Sequence, residues 1–150
     1  MKRVNIPEPH VLEVVEVEQP QPQADEVLLA IKAVGICGSD LHVLEGQHPF
    51  VSYPVMPGHE VSGEIVAVGA DVDSALMGKK AVIEPSLPDG QRPRFGHGRY
   101  NIASGLRVMG FQAPGAMSDY FAVPLDRIHL VPDDFSHEHG AMVEPTAVAV

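Results

Sequence analysis

The sequence predicts a mainly β fold with a few short helices, and three observations carry that expectation. The 150 residues include 14 Gly and 14 Pro, a density that interrupts helices and suits short strands joined by turns. Several short stretches either alternate apolar with polar residues or run continuously apolar, the two patterns of half-buried and fully buried strands. At 45% hydrophobic, a chain of one ordinary domain's length can bury roughly 68–70% of its unfolded surface and so build a core without disulfides.

The elements follow in order. Residues 10–18 alternate Val11, Glu13, Val15 and Val17 and end at Gln19-Pro20-Gln21-Pro22, a strand stopped by residues that cannot continue a ladder. Residues 26–35 are apolar on both faces, which predicts a buried strand. Residues 38–45 suit one or two helical turns with Ser39 or Asp40 as the cap. Residues 61–68 alternate again and Gly69 closes them. Short strands are expected at 80–84, 118–123 and 128–131. Residues 85–110 carry Pro, Gly and Arg with little apolar periodicity and read as a long loop or lobe, a kind of segment that is usually functional or mobile. Near the C-terminus Ser136 caps a helix with His139 at the capping-box position. Pro145 is expected to kink or end that helix. The closing apolar run has no terminator, as in a fragment of something longer.

Composition excludes several classes of partner. Ten Lys and Arg against twenty Asp and Glu give a formal charge of −10, which repels nucleic-acid phosphates and anionic membranes. One cysteine excludes a disulfide framework and an all-cysteine metal cluster. No run approaches the ~20 apolar residues that span a bilayer, and Lys2 and Arg3 are followed by no apolar segment of a signal peptide. The expected setting is cytoplasmic.

The lone Cys37 lies in Gly35-Ile36-Cys37-Gly38-Ser39-Asp40-Leu41-His42, and Pro57-Gly58-His59-Glu60 follows later in the chain. Cys, His and Glu supply S, N and O donors suited to zinc, and three protein ligands leave a fourth position open, as catalytic zinc requires. Taken by spacing alone, a buried cysteine and a satisfied core histidine are favoured over a metal site. Ser39 and Asp40 equally suit a helix cap, and His137 and His139, two apart, suit solvated positions on different helix faces.

The two motifs together, with Val-Ser-Gly-Glu-Ile-Val-Ala-Val-Gly after Glu60, with residues 115–120 and with Glu144-Pro145, resemble the zinc-dependent medium-chain alcohol and polyol dehydrogenases along essentially the whole chain. The resemblance implies a GroES-like distorted β-barrel, the N-terminal catalytic domain, with a Rossmann nucleotide-binding domain beyond residue 150. It implies catalytic zinc at Cys37 and His59, with Glu60 and Glu144 as carboxylates that bind it directly or hold its water. Glu144 stands where sorbitol-type members carry glutamate and alcohol dehydrogenases a second cysteine. Ser39 matches the hydroxyl that takes the substrate's proton, His42 the relay to solvent, and Asp40 the carboxylate that orients the ligand histidine.

Relatives often bind a structural zinc through four cysteines in the lobe. Here those positions are Asp89, Arg92, Phe95 and Ala103, so no structural zinc is expected; an Asp89–Arg92 ion pair and packing of Phe95 would replace it, leaving a softer lobe. No dinucleotide fingerprint is present, since Asn101 occupies the third glycine position after Gly96-His97-Gly98, so no residue of this chain is expected to bind the cofactor's phosphates and NAD(P) is expected to come with the second domain. The implied function is the catalytic half of an NAD(P)-linked oxidoreductase acting on the CH–OH group of a secondary alcohol or polyol, homo-oligomeric in its full-length form and inactive as this fragment alone. A non-catalytic GroES-like module that binds metal or a partner surface is the alternative. A zinc-independent reductase of the same superfamily is disfavoured by Cys37, His59 and Glu60 occurring together.

Overall fold

The structure, a computed structural model, describes residues 1–88 and 105–150. The lobe positions Asp89, Arg92, Phe95 and Ala103, and the Gly96–Asn101 stretch, lie outside the described residues.

A hairpin opens the chain, β1 (Lys2–Glu8) against β2 (Val11–Glu16). The main sheet is antiparallel throughout, in the order β8 (Tyr120–Pro124), β3 (Glu26–Val34), β4 (Val61–Val68), β5 (Lys80–Ile83), β9 (Ile128–Leu130). A minor pair joins β6 (Ser86–Leu87) to β7 (Arg107–Val108). Three helices are short: α1 (Gly38–Leu44), α2 (His137–Ala141) and α3 (Val143–Ala149). Among the described residues no helix is long and apolar enough to cross a membrane.

Val27, Leu29, Val61, Ile65, Ala81, Ile83 and Val123 form the principal buried cluster. Their two-residue spacing places them on one face of the sheet. The opposite face of β3 is also buried at Leu28 and Ala30, because α2 packs across β3, β4 and β5. That two-sided cover is why β3 reads as an unbroken apolar run. A smaller cluster, Ile6, Val43 and Val55, seats α1 against β1 and the 51–55 segment, and the Tyr53 hydroxyl donates to the Val43 carbonyl.

Four local expectations need correction. Strand β1 was not foreseen, although Val4 and Ile6 alternate; it is held by β2 and by Ile6–Val55 backbone bonds. The cap of α1 is Cys37, not Ser39 or Asp40. The helix break falls at Met142, and Pro145 lies in the first turn of α3, where its missing N–H would have had no helical partner. His137 is not simply solvated: its Nδ1 lies 3.1 Å from the hydroxyl of Ser62, which is fully buried.

Candidate metal centre

The pairing of β3 with β4 builds the site. Val34 opposes Val61, and one further bond, from the Gly35 N–H to the Glu60 carbonyl at 2.7 Å, extends the ladder past both strand ends. The residues just after β3 thus meet the residues just before β4. Cys37 follows as the N-cap of α1, and one ligand atom each from Cys37, His59 and Glu60 lies within 4.8 Å of the others.

Two glycines make this approach sterically possible. A Cβ on Gly35 would fall 2.2 Å from the Glu60 Oε2 and 2.9 Å from its Cβ, so only glycine leaves the carboxylate where it is. Gly58, at φ +103°, precedes His59; a Cβ there would meet the Met117 nitrogen at 2.4 Å. The loop carrying His59 is pinned to 115–117 by three backbone bonds, Gly115 N to Met56 O, Ala116 N to Gly58 O and Met117 N to Pro57 O, at 2.8, 2.8 and 3.0 Å. That support is the local job of the 115–120 motif.

Asp40 links the two halves. Its Oδ2 accepts the Cys37 N–H at 2.9 Å, closing the first turn of α1, while its Oδ1 lies 3.7 Å from the His59 Nδ1. Both residues are buried, and Asp40 Oδ1 and His59 Nδ1 lack hydrogen-bond partners in the described structure. With Nδ1 turned toward Asp40, Nε2 is the ring nitrogen available to a metal.

The other site residues from the sequence are placed as follows. Glu60 is buried rather than facing solvent. Ser39 and His42 lie three apart on α1, hence on neighbouring positions of one face, with Ser39 half-buried and His42 exposed. Glu144, in the first turn of α3, is half-buried and is not one of the three converging ligands. Burial holds its carboxyl above the usual glutamate range; His59 pulls the other way and the charge of Glu60 pushes it further up. Phe111, whose ring centre is 4.9 Å from that of His59, was missed, since it lies in a turn without periodicity.

The donor set fits zinc. Tetrahedral zinc with bonds of about 2.0–2.3 Å needs ligand atoms roughly 3.5 Å apart, a small closure from the observed spread. The partnerless Nδ1–carboxylate pair is the arrangement that orients a metal-bound imidazole.

The model of the alcohol dehydrogenase GroES-like domain family matches residues 23–133. The chain belongs to that family. The GroES-like fold extends through the solved structures: rspB of Escherichia coli CFT073, described as a short chain alcohol dehydrogenase complexed with cofactor NADH, superposes with a TM-score of 0.91 at 36% identity, covering 99% of this chain and 43% of the other. Galactitol-1-phosphate dehydrogenase from Escherichia coli gives 0.90 at 32% identity, covering 99% and 43%. By sequence, this GroES-like chain is 38% identical to the starvation-sensing protein RspB of Escherichia coli K12 over 149 residues, 99% of this chain and 44% of the relative. It is 36% identical to sorbitol dehydrogenase of Bacillus subtilis 168 over 135 residues, 87% of this chain and 38% of the relative. The chain spans less than half the length of these relatives. The GroES-like β fold with short helices, expected from the motifs, is borne out.

Proposed function

We propose that this chain is the catalytic half of a zinc-dependent, NAD(P)-linked oxidoreductase acting on the CH–OH group of a secondary alcohol or polyol. The observation that carries the reading is the convergence of Cys37, His59 and Glu60 at the paired ends of β3 and β4. Dehydrogenases of sorbitol, of L-galactonate and of galactitol 1-phosphate among the relatives support the polyol assignment. A Rossmann domain beyond residue 150 supplies the nucleotide site, and relatives of more than twice this length leave room for it. A reducing cytoplasmic setting keeps Cys37 reduced, and the full-length form is a homo-oligomer.

Cys37, His59 and Glu60 are the protein ligands, one sulfur, one nitrogen and one oxygen. Glu144, outside that trio but close enough for His59 and Glu60 to act on its ionisation, is the neighbouring carboxylate. When bound, zinc would supply Lewis acidity that lowers the pKa of an alcohol hydroxyl, and a nicotinamide held by the second domain would supply the hydride acceptor. Ser39 takes the hydroxyl proton, and His42, exposed on the same face of α1, passes it to solvent. Asp40 fixes the His59 ring and the start of α1 with one carboxylate. No second zinc is assigned to the lobe.

Metal analysis of the purified protein tests this reading. One zinc per chain is expected in the native sequence, falling well below stoichiometric in Cys37→Ser. Unchanged stoichiometric metal in that variant removes Cys37 from the site and the mechanism with it.

A further inference from the structure

We infer that Phe111 is a positioning residue for the His59 imidazole, braced in turn by His48. The inference rests on the metal reading above.

His59 needs packing beside Asp40 because that polar contact is too long to hold the ring alone. The Asp40 Oδ1 is its polar neighbour at 3.7 Å, beyond hydrogen-bond range, and His59 Nδ1 has no partner. The ring torsion of a histidine is broad and roughly two-fold, so a ring held by one long contact can present either nitrogen. Packing closes that freedom. The Phe111 ring lies tilted at 46° against the imidazole, with centres 4.9 Å apart. Gly110 borders the Nδ1 edge, where an added Cβ would lie in ordinary contact with that atom at 3.4 Å. With Nδ1 buried and facing Asp40, Nε2 is left for Cys37 and Glu60.

Phe111 is itself held in a frame. The ring of His48 stacks on it at 4.8 Å and 11°. His48 is anchored through its N–H to the His42 carbonyl at 3.2 Å, and its Nδ1 accepts the Phe50 N–H at 3.3 Å. The Gln112 side chain then ties the two loops together, donating to the Phe50 carbonyl at 2.9 Å and accepting the Val108 N–H at 3.0 Å. The order His48–Phe111–His59 thus links the 42–50 segment to the His59 ring through a residue far along the chain.

Cobalt titration of the purified protein, followed by its visible d–d absorption, tests the assignment beside the thermal midpoint of the metal-free form. Phe111→Leu is expected to weaken cobalt binding about tenfold, the low end for loss of a group that orients a ligand, while lowering the metal-free midpoint by no more than about 4 °C. Phe111→Tyr, which keeps the ring, should restore affinity. His48→Leu, one step further out, should weaken it about threefold and carries the test if Phe111→Leu does not fold. Affinities within twofold of the native protein in the variants that fold overturn the inference, as does a loss that Phe111→Tyr does not repair. A native protein that takes up no cobalt overturns the metal reading, and this inference with it.

Discussion

Asp40 performs two tasks with one carboxylate, and substitution can separate them. Its Oδ2 accepts the Cys37 N–H and its Oδ1 faces the His59 Nδ1. Asp40→Ala removes both. Loss of a helix-start hydrogen bond costs about 1 kcal/mol, which in a domain of this size lowers the thermal midpoint by about 2–4 °C. Loss of the group that orients a ligand imidazole weakens metal binding roughly 10–100-fold, about 1.4–2.8 kcal/mol. Asp40→Asn divides these effects. If its oxygen stays on the Cys37 N–H, its NH₂ faces His59 and favours the tautomer with the proton on Nε2, the nitrogen the metal needs. If the amide flips, it sets a donor against the Cys37 N–H and the cap is lost. The first arrangement keeps stability within a few tenths of a kcal/mol, so it is expected to prevail. Calorimetry of the metal-free protein, with zinc competition against a chromophoric chelator, reads both quantities. Asp40→Asn with native zinc affinity would refute the account of how His59 is oriented.

Two further outcomes follow from the packing. Gly35→Ala places a methyl group 2.2 Å from the Glu60 Oε2 and 2.9 Å from its Cβ. The side chain must swing away, at an overpacking cost of about 1–3 kcal/mol. Zinc affinity should fall although Cys37 and His59 are untouched, and native affinity would show that Glu60 is not a ligand. His137 titrates below its ordinary value because of burial at the Ser62 contact and the nearby charges of Lys80 and Lys32, against Glu138 and Glu64. Its folded state therefore resists protonation more than its unfolded state does. Its contribution to stability is complete above about pH 6.5 and is lost as the pH falls through the lowered folded value. Urea midpoints of the metal-free protein at pH 7.5 and 5.5 should converge in His137→Asn relative to the native sequence; an unchanged difference assigns that dependence to other groups.

Apolar pattern made β3 and β4 legible, because both are core strands, β3 covered on its two faces. It did not reveal β1, whose Val4 and Ile6 are interspersed with Lys2, Arg3 and Asn5, and whose partners are the hairpin strand β2 and the 117–119 and Val55 segments. His137 looked like a surface residue in a polar run. Its contact is Ser62, 75 positions away, and no local spacing reports that. The same holds for Phe111, whose neighbours His48 and His59 lie in two other loops.

Residue types and spacing alone leave the chemistry here open. The resemblance carried by two long motifs names a thiol, an imidazole and carboxylates as the candidate donors, and the charge balance and lone cysteine argue against nucleic-acid binding and a disulfide framework. Which of those donors meet is a matter of strand register. A slip of one residue between β3 and β4 would turn every side chain to the other face and part Cys37 from His59. Long-range pairing, two glycines without room for a side chain and a bridging carboxylate bring the three together, and none of these can be computed from sequence separation.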